Sequence, residues 1–196
     1  MLALAKTAAV VGVWDHWGWA VLVTVGRDGV VADRRRVTLI DDGLPPFPHH
    51  QEGQTLPREA GVALVKRVRT SVQRCARAVL DTLAGEVSIP IRGIAIRKCP
   101  ELPPTIEERI ANYRAHNVAD SVMYRQALAD AARARDWSVF WYDTKLVFDE
   151  AATALGRKSI SSLLHDAGMS LGPPWQKDHQ FAMAAALAAA REKQPP

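Results

Sequence analysis

Four short stretches of this sequence hold residue types able to do chemistry, and a fifth holds cations that would assist or oppose them. Asp15-His16 closes the apolar run Val10–Trp14. Pro48-His49-His50-Gln51-Glu52 sets two adjacent imidazoles beside a carboxylate. Asp178-His179 stands at the head of an alanine-rich segment, and Asp143 follows another apolar run. Carboxylate oxygens suit hard divalent cations, and imidazole moves the preference towards Mn, Zn or Fe. The adjacent pair His49-His50 lacks the i, i+4 spacing of strong zinc motifs. A polar loop whose histidines cap the next helix or bond backbone therefore stays open as the other reading. Arg97-Lys98 ends a strand pattern, where it could hold phosphate or form a salt bridge to Asp15 or Asp178.

These residues must be positioned by the elements around them. Val10–Trp14 and Ala20–Val25 read as strands, and Val30–Ile40 as a third that carries Arg34, Arg35 and Arg36. Asp28-Gly29 supplies the turn between the last two, so the chain opens as an antiparallel meander. Asp41–Pro57 reads as a loop. Arg58–Leu83 is a long helix with an apolar stripe through Val65, Val68, Val72, Ala76 and Val79, and Gly85 marks its end. Ile91–Ile96 is a short continuous apolar strand of the kind found inside a sheet. Thr105-Ile106-Glu107-Glu108 has the spacing of a capping box and begins a helix carrying Ile110 and Tyr113. A further helix runs from about Ala119 to Arg135, and Trp137–Tyr142 is a strand. Thr144–Leu155, Ser159–Ala167 and Lys177–Ala190 read as helices, the last two separated by Gly172-Pro173-Pro174. A frayed Lys-Gln-Pro-Pro tail follows.

Composition narrows the classes. Lys and Arg number 25 against 21 Asp and Glu in 196 residues, a net charge of +4, which permits nucleic acid as a partner without demanding it. Cys75 and Cys99 are far apart and form no CxxC pair, so neither a cysteine zinc site nor a disulfide framework is expected, in keeping with a reducing cytoplasm. Residues 1–13 lack a basic leader and a cleavage site, so no signal peptide is expected, and no apolar run is long enough to span a membrane. Trp14, Trp17 and Trp19 read as packing, with base stacking as the alternative. Asn117, Asp120, Tyr124 and Arg125 read as a solvated or interface face of their helix.

The element order is β-β-β-α-β-α-β-α. Val11-Gly12-Val13-Trp14-Asp15 followed by Gly18-Trp19-Ala20-Val21-Leu22 resembles the opening of the resolvase branch of the ribonuclease-H-like superfamily. Lys177-Asp178-His179-Gln180-Phe181-Ala182-Met183-Ala184 is similar to the last helix of that branch. In element order the resemblance covers nearly the whole chain; in sequence it rests on these two segments. It implies an α/β fold in one ribonuclease-H-like domain of residues 1–196. The sheet would be mixed and five-stranded, three antiparallel strands followed by β-α-β, flanked by helices.

The resemblance also implies a metal-dependent nuclease or resolvase-like phosphodiesterase, using Mg or Mn ions about 4 Å apart to activate water and neutralise the leaving oxygen. Asp15 matches the first-strand aspartate, and Asp178, or His179 beside it, the last-helix acid. His179 would serve as ligand or water-activating base. The loop with His49, His50 and Glu52 could fold over that site and add ligands. Where the family places a carboxylate at the end of the fourth strand, this chain has Arg97-Lys98, which would oppose a divalent cation; Asp143 is the available substitute. That departure favours a second function, a catalytically inactive module of the same fold that binds nucleic acid or a protein partner. Resolvase relatives commonly pair, so a homodimer belongs to the expectation. An actin-like ATPase is disfavoured because no glycine-rich phosphate loop is present.

Overall fold

The computed structural model describes residues 8–191. The first residues, on which part of the leader reading rests, and the Lys-Gln-Pro-Pro tail lie outside the described residues. Three strands open the chain: β1 (Ala9–Asp15), β2 (Trp19–Val25) and β3 (Val31–Thr38). A π-helical turn (Pro48–Glu52) leads into the single turn α1 (Gly53–Thr55) and the long helix α2 (Arg58–Glu86). Next come β4 (Ile91–Arg97), α3 (Ile106–Ala111), α4 (Tyr113–Arg133) and β5 (Ser138–Tyr142). Helices α5 (Val147–Ala154), α6 (Ser161–Leu171) and α7 (Lys177–Arg191) close it.

The five strands form one mixed sheet in the order β3-β2-β1-β4-β5. β1 pairs antiparallel with β2, placing Asp15 opposite Ala20, and parallel with β4, placing Val11 beside Ile94. β2 pairs antiparallel with β3, and β4 pairs parallel with β5. The meander follows from local chemistry: Gly29 takes φ +86° and Asp28 accepts the Val30 N–H, which closes the tight turn.

Strand alternation sends side chains to two cores. Val11, Val13, Leu22, Ile94 and Ile96 meet α2 and α4 on one face. Val10, Val21, Val23, Ala95 and Phe140 meet α5 and α7 on the other. Both faces are covered, so β1 and β4 are apolar almost throughout. The alanines of α7 let that helix lie against the sheet: a Cβ on Gly12 would fall 1.7 Å from the Ala182 carbonyl oxygen. Only glycine fits there, because overpacking of backbone on backbone has no side chain to move aside.

Several boundaries differ from the sequence reading for local reasons. Gly85 does not end α2; the helix runs to Glu86, where Val87 turns extended while its N–H still bonds Leu83 O. Tyr113 belongs to α4, because Asn112 accepts the Ala115 N–H and starts a new helix there. The capping box forms as expected: Thr105 Oγ1 accepts the Glu108 N–H, and Glu108 accepts the Thr105 N–H at 3.0 Å. Helix α6 extends to Leu171, and Asp41–Pro57 contains the π-helical turn rather than irregular loop alone.

Candidate functional site

Asp15 ends the central strand and is 1% exposed. Its register, shared with Val11 and Val13, turns it to the α2/α4 side. Both of its carboxylate oxygens are taken by guanidiniums. Arg97 Nε, from the end of β4, donates to Oδ1 at 2.8 Å, and Arg125 Nε, from α4, donates to Oδ2 at 2.9 Å. Arg97 also donates to the Asp15 backbone carbonyl at 2.5 Å and lies over the Trp14 ring at 4.4 Å. Arg125 reaches the Lys98 carbonyl at 3.1 Å. For Arg97, burial works against the charged form, but the hydrogen bond and charge of Asp15 outweigh it and raise the pKa. Burial, and then the charge of Asp15, push the Tyr142 phenol up; its hydroxyl donates to Val13 O at 2.7 Å. Lys98 is exposed and forms no ion pair among the described residues.

Asp178 and His179 sit in the first turn of α7, on the other face of the sheet. Asp178 bonds His16 Nε2 at 2.8 Å, and the His16 ring stacks on Trp19 at 3.9 Å. Arg36 covers the Trp19 ring, also at 3.9 Å. His179 Nδ1 accepts the Gln176 N–H at 3.2 Å, which leaves its proton on Nε2. Burial, reinforced by nearby Arg34, lowers the His179 pKa, so the ring is neutral at pH 7. Arg34 itself is committed to the carbonyls of Leu171, Gly172, Pro173 and Pro174.

The sequence placed Asp15, Asp178 and His179 around a metal, with Asp143, His49, His50 and Glu52 as further ligands. The structure gives Asp15 and Asp178 different hydrogen-bond partners, Arg97 and Arg125 for one and His16 for the other. The charges of both Asp15 and Asp178 act on the Arg97 guanidinium and help to raise its pKa. Asp143 caps the turn before α5, accepting the Lys145 N–H at 2.8 Å. His49, His50 and Glu52 belong to the π-helical turn, which packs against α2, α3 and α4 rather than α7. Among the described residues, no three His, Cys, Asp or Glu side chains are placed to hold a metal ion. The residues present do not fit a two-metal centre: a divalent cation at Asp15 would meet the two guanidiniums that already hold its oxygens.

The turn holds a buried carboxylate–imidazole pair instead. His49 is 2% exposed and Asp120 1%. His49 Nδ1 lies 2.7 Å from Asp120 Oδ1, and the N–H groups of His49 and His50 donate to Oδ1 and Oδ2 at 3.0 and 3.1 Å. A carboxylate only accepts, so Nδ1 carries the proton and Nε2 is free to accept; that buried Nε2 has no partner among the described residues. Gly53 lets the turn close, since a Cβ there would fall 2.5 Å from Pro48 O. His50 sets its edge against His116, with ring centroids 5.4 Å apart.

Asp120, Tyr124 and Arg125 are thus not a solvated face. Asp120 and Tyr124 are buried, Tyr124 donates to Pro46 O at 3.2 Å, and Arg125 pairs with Asp15. One signal for this was in the sequence: Asp120, Met123, Tyr124, Ala127 and Leu128 share the three-and-four spacing of a buried stripe. Nothing local in the chain named the partners.

No family model matches the chain, and no curated protein sequence matches it. Solved structures do. "T. thermophilus RuvC in complex with Holliday junction substrate" aligns over 94% of this chain and 93% of that one, at 14% identity and a TM-score of 0.51. "Thermus thermophilus RuvC structure" aligns over 93% of each chain at 12% identity and a TM-score of 0.49. At 14% identity the first likeness is one of fold: a mixed five-stranded sheet flanked by helices, ribonuclease-H-like. No described helix is long and apolar enough to cross a membrane.

Proposed function

We propose that this chain is a ribonuclease-H-like module that binds nucleic acid through its phosphate backbone and does not cut it by two-metal chemistry. One observation carries the reading: both oxygens of Asp15, the first-strand carboxylate, are held by Arg97 and Arg125. Freeing the carboxylate for a metal would leave two guanidiniums beside it, 21% and 11% exposed, without their counter-ion.

The nucleic-acid part has its own support. Lys66, Arg69 and Arg77 lie along one exposed side of α2 and form no ion pair among the described residues. Eleven residues of helix span about 16 Å, enough to follow several phosphates along one strand. Arg58, earlier on α2, is also exposed and lies near the same side of the helix. The acids of the helix's second half are already matched, Asp81 by Arg135 and Glu86 by Arg35. The neighbour of like fold is seen with a Holliday junction, which makes branched DNA the first substrate to try.

The test is fluorescence anisotropy with linear and four-way-junction DNA, over a range of salt and with or without Mn²⁺. The double variant Lys66→Ala, Arg77→Ala should weaken binding to every sequence alike and lower the salt slope by about 2, roughly one per removed cation. A Mn²⁺-dependent cleavage that disappears in Asp15→Asn would overturn the reading and restore the nuclease.

A further inference from the structure

The residues of the α2–α4 side enclose a cavity of about 490 Å³ between α2, α4 and the segment leading into α3. Such a volume is that of a small-molecule site. Val65, Leu102 and Met123 give it apolar walls. Its polar groups are few: Arg69 and Gln73 from α2, Arg109 from α3, Gln126 from α4, and His49. Asp130 also lines it, but is engaged by Arg133 and Gln126.

His49 is the telling member. It is nearly fully buried, and Asp120 fixes its Nδ1 and both flanking amides, so the ring cannot turn. Its Nε2 is left buried without a partner. An unmet buried acceptor costs stability, and here it belongs to a side chain that forms the cavity wall. Arg69 is exposed and forms no ion pair among the described residues. Arg109 is anchored through Nε and Nη2 to the carbonyls of Pro103 and Pro104, which leaves Nη1 uncommitted.

We propose that this cavity binds one unpaired nucleotide, with its phosphate at Arg69 and Arg109 and its base between the apolar walls. A ring or amino N–H of the base donates to His49 Nε2, and the amide of Gln73 meets the remaining base edge. This rests on the nucleic-acid reading: Arg69 belongs both to the basic side of α2 and to the cavity, so a strand lying along α2 passes its mouth. An unstacked base needs a surface to lie on and an edge to bond, and apolar walls with a fixed acceptor supply both.

The experiment uses the full chain and four nucleoside monophosphates, with inorganic phosphate as control. Binding is followed by calorimetry and by the ¹⁵N shifts of the histidine rings. A base-bearing ligand should shift His49 Nε2, and inorganic phosphate should not. His49→Asn keeps a donor for Asp120 while removing Nε2, and Gln126→Trp narrows the cavity from an exposed position that leaves the pair intact. Each should weaken nucleotide binding by about tenfold, the worth of one hydrogen bond or one filled contact. Lys66→Ala with Arg77→Ala should leave mononucleotide affinity unchanged while weakening polymer binding.

Inorganic phosphate binding as tightly as the nucleotides would overturn the proposal. So would saturation with no movement of the His49 ring, or affinity unchanged in both cavity variants. If polymer DNA binds but no mononucleotide does, the cavity proposal fails and the nucleic-acid reading stands. If neither binds, both fail.

Discussion

Asp15 and Asp120 are two buried carboxylates on the same side of the sheet, and they differ in what their partners leave over. Asp15 is held by two guanidiniums that also bond the Asp15 and Lys98 carbonyls. Asp120 is held by one imidazole and two backbone amides, and the imidazole has a second nitrogen without a partner among the described residues. Burial alone therefore does not mark a functional acid. An Arg-saturated carboxylate is a closed unit that joins β1, β4 and α4. A His-bound carboxylate fixes a tautomer and presents a free acceptor at a chosen place.

The largest expected effect lies at Asp120. Asp120→Ala removes the acceptor of three N–H groups, two of them on buried His49, and should cost about 3–5 kcal/mol of stability, as for a broken buried pair. Urea denaturation would measure it, and a loss within error of zero would mean that the π-helical turn does not depend on this carboxylate. Asp15→Ala should cost less, about 2 kcal/mol, because Arg97 and Arg125 are partly exposed and can regain water.

Apolar replacement sharpens the contrast. Asp15→Leu combined with Arg97→Met and Arg125→Leu should return to within about 2 kcal/mol of the parent, since a whole ion cluster can be exchanged for packing. Asp120→Leu with His49→Leu should not recover in the same assay. Its orphaned donors include the main-chain N–H groups of residues 49 and 50, which no substitution removes. Equal recovery at both sites would erase the distinction.

The smallest effect concerns His179, on the other face. Its folded pKa is lowered from 6.5, so the unfolded chain takes up a proton that the folded chain refuses. Its contribution is complete above pH 6.5 and declines as pH falls from there through the lower folded value. His179→Gln should flatten stability against pH in that window, read from denaturation midpoints between about pH 5 and 7. An unchanged profile would show that burial does not oppose protonation of this ring.

Much of the fold was legible in the chain because its causes are local. The period-two and continuous apolar runs gave the strands, Asp28-Gly29 gave the hairpin, and Thr105 with Glu108 gave the capping box, all interactions within a few residues. The start of α4 was missed although its signal was local: Asn112 is an N-cap, and the histidine and tyrosine around it diluted the apolar pattern. The candidate site was legible only in part. Arg97 as a salt-bridge partner of Asp15 was one of two open readings, because a cation at a strand end lies near its neighbour's end in a parallel pair.

By itself, the sequence determined the apolar runs and stripes that face inwards and the hairpin turn, since backbone preference and hydrophobic spacing act over short distances. It also supplied the full set of acids, histidines and arginines. Only the tertiary structure decided how they pair. Asp15 meets Arg125 across 110 residues and His49 meets Asp120 across 71. Asp178 turns to His16 rather than to Asp15. Such pairings depend on which helix packs on which face of the sheet, and a buried charge accepts whichever partner the packing brings within hydrogen-bond reach.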